Sequence, residues 1–141
     1  MSTLFTKIAQ RQLPAHIIAE DERHMALLDI YPKVVGHTLV IPKKETDYLF
    51  DLSDEEMAAL FLFAKKVGKP LEKVVSCQRI ALSVVGLEVP HVHVHLFPIQ
   101  KEADLYVTNV PRKASEHVLA ALAASISKEF CAQHPLTSSL P

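Results

Sequence analysis

The chain has 141 residues, and its 15 basic and 16 acidic side chains give a formal net charge of -1. This length is typical of a single domain, and the balanced charge argues against a general electrostatic grip on DNA or RNA. The two cysteines, Cys77 and Cys131, lie far apart, so we expect neither a disulfide framework nor a cysteine-based zinc site. No apolar run reaches the length of a membrane span, and the N-terminus lacks the apolar core of a secretory signal. We therefore expect a cytoplasmic protein with no membrane or nucleic-acid partner.

The first third of the chain predicts a helical arm followed by three strands. Residues 1–13 predict the arm, whose apolar side chains lie on one side: Leu4, Phe5 and Ile8. Residues 16–19 and 24–30 predict the two strands of a hairpin joined by a polar turn. Residues 37–41 predict a third strand, which ends at Pro42 because proline cannot donate to a sheet ladder.

The middle of the chain carries a helix start signal. Ser53-Asp54-Glu55-Glu56 predicts a capping box, in which the Ser53 hydroxyl accepts from the amide of Glu56 and the Glu56 carboxylate accepts in return. The apolar residues that follow recur at helical spacing: Met57, Leu60, Phe61, Ala64, Val67 and Leu71. Pro70 lacks an amide proton, so we expect a kink or a restart of the helix there.

The last third predicts two further strands, at residues 79–85 and 91–99, and a second amphipathic helix at residues 115–131. Five apolar side chains of this helix are expected to face inward: Val118, Leu119, Leu122, Ile126 and Phe130. Five strands and two main helices in mixed order predict an α+β fold with a largely antiparallel five-stranded sheet.

Three histidines within five residues are the strongest chemical signal in the chain. Side chains alternate between the two faces of a strand, so His91, His93 and His95 are expected to share one face. The other face then carries the apolar residues of the strand: Val92, Val94 and Leu96. Histidine is a poor strand filler, and threonine or lysine would serve a solvated sheet face equally well. We therefore interpret the histidine face as an active site.

Two kinds of chemistry fit neighbouring imidazoles. A His-x-His pair on a strand can supply two ligands to zinc. However, His91 and His95 are separated by roughly 13 Å along an extended strand, so the three rings cannot meet at one ion without a bulge. The alternative is catalysis at phosphorus, in which one neutral imidazole attacks and a neighbour holds its tautomer or protonates the leaving group.

At this point the sequence resembles a known family. His91-Val92-His93-Val94-His95-Leu96-Phe97 resembles the His-φ-His-φ-His-φ-φ signature of the histidine triad (HIT) family. Residues 36–44, 4–8 and 28–30, together with Gly86, resemble other segments of the same family. The most similar branch is that of the Hint-like nucleoside phosphoramidases. The resemblance implies a HIT domain at residues 1–110, a C-terminal helical extension of that domain at 111–132 and a loose tail at 133–141.

The resemblance also implies roles for four histidines. His93 would be the nucleophile that attacks the α-phosphorus of a nucleotide and forms a nucleotidyl-histidine intermediate, which water then hydrolyses. His95 would contact the phosphate or assist the leaving group. His91 and His37 would support the site and its protonation state.

The family comparison further implies a nucleotide pocket and a homodimer. Asp29 matches a carboxylate that binds the ribose hydroxyls. Four apolar residues would line the base pocket: Leu4, Phe5, Ile8 and Ile30. The family is usually a homodimer whose sheets join across the subunits, with the helix from Ser53 in the interface. No cofactor and no metal ligand set is implied.

This chain departs from the Hint-like pattern near the phosphate. Leu87 and Glu88 stand where those enzymes usually carry Gln-Ser, so Glu88 would place a carboxylate beside the phosphate. Ser83 replaces an asparagine on the preceding strand, and residues such as Leu4 and Thr6 stand in the region of the family's optional zinc cysteines. The departures bear on leaving-group preference and rate.

Four hypotheses about function follow. The first is a hydrolase or transferase that acts on a purine nucleoside phosphoramidate or a related nucleotidyl conjugate. The second is a hydrolase of dinucleoside polyphosphates. The third is a nucleotide-binding interaction module with weak activity, and the fourth is a zinc-dependent hydrolase.

Overall fold

The computed structural model describes residues 2–106 and 111–135. The helices are α1 (Leu4–Ala9), α2 (Asp54–Val74) and α3 (Glu116–Gln133). The strands are β1 (Ile17–Glu20), β2 (His24–Leu28), β3 (Thr38–Pro42), β4 (Arg79–Ser83) and β5 (Val94–Ile99). Short 3₁₀ turns occupy Leu49–Asp51 and Glu102–Leu105. The elements predicted from the sequence are therefore present, with bounds that differ by a few residues.

The five strands form one sheet in the order β1-β2-β3-β5-β4, and every neighbouring pair is antiparallel. The predicted fold class is confirmed. Residues that pair across an antiparallel sheet share a face. His95 pairs with Leu39 on one side and with Ser83 on the other, so these three side chains lie on the same face of the sheet.

The opposite face of the sheet holds the main core. Helices α2 and α3 cover it, and their side chains pack against Ala26, Leu28 and Val40 from the central strands. Val92, Val94 and Leu96 are all at most 1% exposed in this core, so the predicted inward side of the triad segment is confirmed. None of the helices in residues 2–106 and 111–135 is both long and apolar enough to cross a membrane.

The backbone from His91 to His93 is less regular than expected. The predicted fifth strand began at residue 91, but β5 begins at Val94. The amide of His91 donates to the carbonyl of Val89, and the amide of Val92 donates to Thr46 in a loop, so neither joins the ladder of a neighbouring strand. The expectation that all three histidines lie on one strand is therefore wrong. The alternation of sides persists although the backbone before Val94 is not part of the sheet.

Helix α1 closes one end of the face that carries His95. The helix begins because the Thr3 side chain accepts a hydrogen bond from the amide of Thr6. Phe5 and Ile8 are buried against Met25, Leu27, Leu39 and Ile41. Leu4 is 48% exposed, so the prediction that it shares the inward side of the arm is wrong. Docking on the sheet, rather than the hydrophobic pattern alone, selects the buried side of this short helix.

The two long helices follow their sequence signals in part. The capping box at Ser53 and Glu56 is confirmed, with both hydrogen bonds formed. Helix α2 continues through Pro70 to Val74, so the helix does not restart at the proline. In α3, Leu119 and Ile126 are buried as predicted, together with Ala123. Val118 is 58% exposed, and its predicted inward position is wrong.

Gly36 sets the path by which the chain enters β3. Its φ of +86° lies in the left-handed region, and an added Cβ would lie 2.9 Å from Cγ2 of Val75. Only glycine fits this position without strain, because a side chain would meet both the backbone penalty and the packed end of α2. The tight entry places His37 directly before β3, on the same face as His95.

Candidate active site

A cavity of about 570 Å³ opens on the face of the sheet that carries His95. Its lining combines histidines, two carboxylates and a lysine with the loop before the triad: Asp29, Tyr31, Lys33, His37, Val85, Gly86, Leu87, Glu88, His93, His95 and Pro111. The structure thus brings together five of the residues that the sequence predicted for the site: His37, His93, His95, Asp29 and Glu88. The first histidine of the triad, His91, lies behind the cavity and is 0% exposed.

The ring of His93 is held by its own backbone neighbourhood. Its Nδ1 lies 2.7 Å from the carbonyl oxygen of His91. A carbonyl oxygen only accepts, so Nδ1 carries the proton and Nε2 holds a free lone pair in the neutral ring. Among the described residues no side-chain nitrogen or oxygen is buried without a hydrogen-bond partner, and Nε2 of His93 has no protein partner there. Its lone pair is therefore open to the cavity.

His37 and His95 form a second, directional pair. The amide of Lys33 donates to Nδ1 of His37 at 3.2 Å, so neutral His37 carries its proton on Nε2. This Nε2 lies 2.9 Å from Nδ1 of His95 and donates to it. Neutral His95 must then carry its own proton on Nε2. The cavity thus receives a lone pair from His93 and a proton donor from His95, whose ring centroids are 4.8 Å apart.

Burial keeps these imidazoles neutral. Removal from water lowers the pKa of His37 to about 3, and repulsion by His95, Lys33 and His93 acts in the same direction. Burial likewise lowers the pKa of His95 to about 4, again with repulsion by His93 and Lys33. Phe97 contributes to this burial, because its ring is stacked on His95 and lies 4.4 Å from the ring of His37. The tautomers of His37 and His95 described above are therefore those of neutral rings at pH 7.

Charged groups surround the cavity unevenly. Burial raises the pKa of Asp29, while the amide of Tyr31, which its Oδ1 accepts at 2.8 Å, and the nearby His93 and Lys33 lower it. The carboxylate of Glu88 also raises the pKa of Asp29, which places the two acids within electrostatic reach of each other. Lys33 brings a positive charge and lies 5.9 Å from the centre of the Phe97 ring.

One set of donors could be read as a metal site. Asp29, His37 and His95 have ligand atoms within 4.8 Å of one another, and Oδ2 of Asp29 lies 3.7 Å from Nε2 of His37. The hydrogen bonds argue against this reading. A metal on Nε2 of His37 requires a proton on Nδ1, which would then face the amide proton of Lys33. The group does not fit a metal ion, and its members satisfy one another instead.

Several residues assigned from the family pattern are not among those that line the cavity within the described part of the chain. Phe5 supports the site from behind, with its ring 4.9 Å from that of His93. Ile8 lies in the small core under α1, and Ile30 packs against the main core. Leu4 is exposed, and Ser83 pairs with His95 on the neighbouring strand without lining the cavity. Their assignment to nucleotide binding stays a prediction.

The sequence interpretation missed other parts of the site. Lys33 was given no role, although its amide fixes His37 and the residue lines the cavity. Thr3 and Glu45 were given no role, yet they belong to the polar surroundings of His91. The spacing of Lys33 four residues before His37 was the available signal. No local pattern links Thr3 to a histidine 88 residues away.

Comparison with known proteins gives a consistent result. A family model described as the HIT domain matches residues 10–102. The adenosine 5'-monophosphoramidase of Schizosaccharomyces pombe is 36% identical over 107 residues, which cover 72% of this chain and 77% of that protein. The asymmetrical bis(5'-nucleosyl)-tetraphosphatase of the same yeast is 38% identical over 84 residues, covering 56% of this chain and 46% of that protein.

The fold is shared with solved structures. A Hit-like protein from Bartonella henselae superimposes with a TM-score of 0.80 at 26% sequence identity, and the match covers 91% of this chain and 96% of that one. The similarity therefore extends through both the sheet and the long helices.

Proposed function

The chain belongs to the histidine triad (HIT) family, and on that premise we propose that it is a nucleotide hydrolase or transferase acting at the α-phosphorus of a purine nucleoside phosphoramidate. The observation that carries this proposal is the locked tautomer of His93, whose Nε2 lone pair is open to the cavity. A relative named as an adenosine 5'-monophosphoramidase supports the choice of substrate class.

In the first step, the Nε2 lone pair of His93 attacks the α-phosphorus, and a new N–P bond forms. The P–N bond to the leaving amine breaks, and its electron pair goes to the amine nitrogen. That nitrogen takes up one proton from solvent in the cavity, while the Nε2–H of His95 donates a hydrogen bond to a phosphoryl oxygen and His37 donates to Nδ1 of His95 throughout. The carbonyl of His91 stabilises the imidazolium character that develops on His93 through Nδ1.

In the second step, water attacks the phosphorus of the nucleotidyl-His93 intermediate. The proton of that water passes to solvent, the N–P bond to His93 breaks, and its electron pair returns to Nε2 of His93. The products are a nucleoside monophosphate and the starting neutral histidines. An alcohol in place of water would make the reaction a transfer.

Asp29 is proposed to bind the ribose. Its carboxylate lies at the end of β2 in the cavity, where its Oδ1 already accepts from the amide of Tyr31. Two vicinal hydroxyls can donate to the remaining lone pairs of one carboxylate. The base would then extend past Tyr31, which is 50% exposed at the rim.

A second candidate is the hydrolysis of dinucleoside polyphosphates. Lys33 in the cavity lining and the relative named as a bis(5'-nucleosyl)-tetraphosphatase favour it. Glu88 opposes it, because a carboxylate in the lining repels a longer phosphate chain. The same carboxylate suits an amine product, which takes a second proton from solvent after release and is a cationic ammonium ion at neutral pH. The charge pattern therefore supports the phosphoramidate as the first choice.

We also propose that the chain is a homodimer. Strand β4 is one of the two edges of the sheet, and within residues 2–106 and 111–135 it has a neighbouring strand only on the β5 side. Exposed apolar side chains lie on and near this edge, including Leu82 at 51% and Phe61 at 36%, which line one groove between β4 and α2. A second copy that pairs its own β4 with this edge would cover both the unpaired backbone groups and the groove.

The test of the catalytic proposal is a comparison of wild type with His93→Ala. Both are mixed briefly with an adenosine phosphoramidate, quenched in acid and weighed as intact proteins. We expect an adenylyl adduct on the wild type only, and a loss of turnover by His93→Ala of roughly a thousandfold or more. His117→Ala, which removes an exposed histidine of α3, is the matched control and should behave as wild type. Undiminished turnover by folded His93→Ala would refute the assignment.

A further inference from the structure

A chain of buried polar groups connects helix α1 to the triad. The Thr3 hydroxyl lies 2.7 Å from Nδ1 of His91, although the two residues are 88 positions apart. Thr3 is 9% and Thr6 8% exposed, and His91 is 0% exposed. The mechanism above uses none of the polar groups of α1. Burying a hydroxyl costs free energy unless the hydroxyl forms a hydrogen bond, and both threonine hydroxyls are hydrogen-bonded here.

The donor and the acceptor can be assigned for both hydrogen bonds to the ring of His91. Nε2 of His91 lies 2.8 Å from the carbonyl oxygen of Pro42, so Nε2 carries the proton and Nδ1 accepts. The donor to Nδ1 is the Thr3 hydroxyl at 2.7 Å, because the Thr6 hydroxyl, 3.4 Å from Nδ1, donates to Glu45 instead. The Thr3 hydroxyl also lies 3.2 Å from Oγ1 of Thr6, but its contact with Nδ1 is the shorter of the two, and its oxygen accepts the amide of Thr6 at 3.1 Å. Both ring nitrogens of His91 are thus held.

Glu45 anchors the end of this hydrogen-bond network that lies at helix α1. Its Oε1 accepts from the Thr6 hydroxyl at 2.6 Å and from the Thr3 amide at 2.9 Å. These bonds lower the pKa of Glu45, so the carboxylate is ionised at neutral pH. Because Glu45 lies three residues after Pro42, the end of β3 holds His91 through the Pro42 carbonyl, and the segment that follows β3 holds α1 through Glu45.

The position of His91 matters because its carbonyl holds His93. The buried ring anchors the His91 backbone, and a shift of the His91 peptide would move the oxygen that fixes Nδ1 of His93. If the Thr3 hydroxyl is removed, water cannot easily replace it as the donor to His91, since the ring of His91 has no exposed surface. The hydroxyl of Thr3 therefore acts two residues away from the attacking nitrogen without touching the substrate.

We propose that Thr3, supported by Thr6 and Glu45, is a positioning residue that locks His91 and thereby keeps His93 in the tautomer with a free Nε2. The assignment rests on the proposed function, since its effect on rate presupposes attack by His93. It gives the N-terminal helix a role in the chemical step besides packing on the sheet.

The experiment compares Thr3→Val with Thr3→Ser and Thr46→Val. Valine has the shape of threonine without the hydroxyl, whereas serine keeps the hydroxyl. Thr46→Val makes the same threonine-to-valine change at a side chain outside this hydrogen-bond network. We expect Thr3→Val to lower kcat by roughly ten- to a hundredfold with KM within about threefold, because positioning errors affect the transition state most. Thr3→Ser and Thr46→Val should stay near wild type. Equal kcat in all four proteins, or a rise in KM alone, would overturn the proposal.

Nitrogen NMR of ¹⁵N-histidine-labelled protein provides a readout that is independent of turnover. In wild type, His93 should show a protonated Nδ1 and an unprotonated Nε2, and Thr3→Val should populate the opposite tautomer. If Thr3→Val fails to fold, Glu45→Ala, at an exposed position, is measured instead and should shift the tautomer in the same direction. An unchanged His93 spectrum in the folded variant would refute the proposal that Thr3 fixes the tautomer of His93 through His91. A wild type that shows the tautomer but no turnover would refute the proposed function alone.

Discussion

Acidification should destabilise this protein through its buried neutral histidines. Unfolded His37 has its ordinary pKa of 6.5 and takes up a proton between pH 7 and pH 5, whereas the folded protein keeps it neutral down to a pKa of about 3. The unfolded state therefore binds more protons in this window, and stability falls as pH falls. From these values His37 alone accounts for a loss of about 2 kcal/mol between pH 7 and pH 5. His95, with a pKa of about 4, acts in the same direction.

The effect can be measured by urea unfolding of wild type and His37→Gln at both pH values. The variant should lose about 2 kcal/mol less than wild type on acidification, which corresponds to a difference of about 1 M in the change of the urea midpoint. The raised pKa of Asp29 acts in the opposite sense, because burial favours its protonated form, but Asp29 is present in both proteins. Equal pH dependence of the two proteins would refute the conclusion that His37 is buried in its neutral form.

Two further predictions concern the cavity and the sheet edge. Glu88→Gln should lower KM for a dinucleoside polyphosphate by roughly two- to fivefold at low salt and less at high salt, because it removes a negative charge from the lining. Steady-state kinetics decide this, with exposed Glu22→Gln as control, and a KM that does not change at low salt would contradict it. Leu82→Asp should weaken the homodimer at least about tenfold, since it puts a charge at the proposed interface. Sedimentation equilibrium measures this, with Val118→Asp on α3 as control; a dimer that survives Leu82→Asp, or a monomeric wild type, would contradict the β4 interface.

The fold was largely predictable because its signals are local. The capping box at Ser53 and the apolar spacing that follows it specify α2, and strand periodicity specifies the sheet. Two of the predictions that were wrong, those for Leu4 and Val118, involve the choice between two possible buried sides. Val118 and Ala123 illustrate this, because α3 packs against both β1 and α2 and buries the small residue where the elements approach closely. Hydrophobicity favours the valine, but the geometry of the neighbours decides.

The candidate site was predictable in its histidines and less so in its supports. The motif itself marks His93 and His95, whereas Lys33 enters through the hydrogen bond of its amide to His37. The histidine pattern suggested three equivalent side chains on a strand. In the structure His91 is fully buried and serves His93 through its carbonyl, so the three have different environments.

By itself, the sequence determined the family and the fold class and marked the histidines of the candidate site, because these depend on residue types at short spacing. Tertiary structure alone decided which nitrogen of His91 and of His95 carries a proton. That choice depends on distant partners: Pro42 and Thr3 for His91, and His37 for His95. A neutral imidazole has two tautomers of similar energy in water, so its chemistry in the cavity is fixed by whichever donors and acceptors the fold brings to its ring.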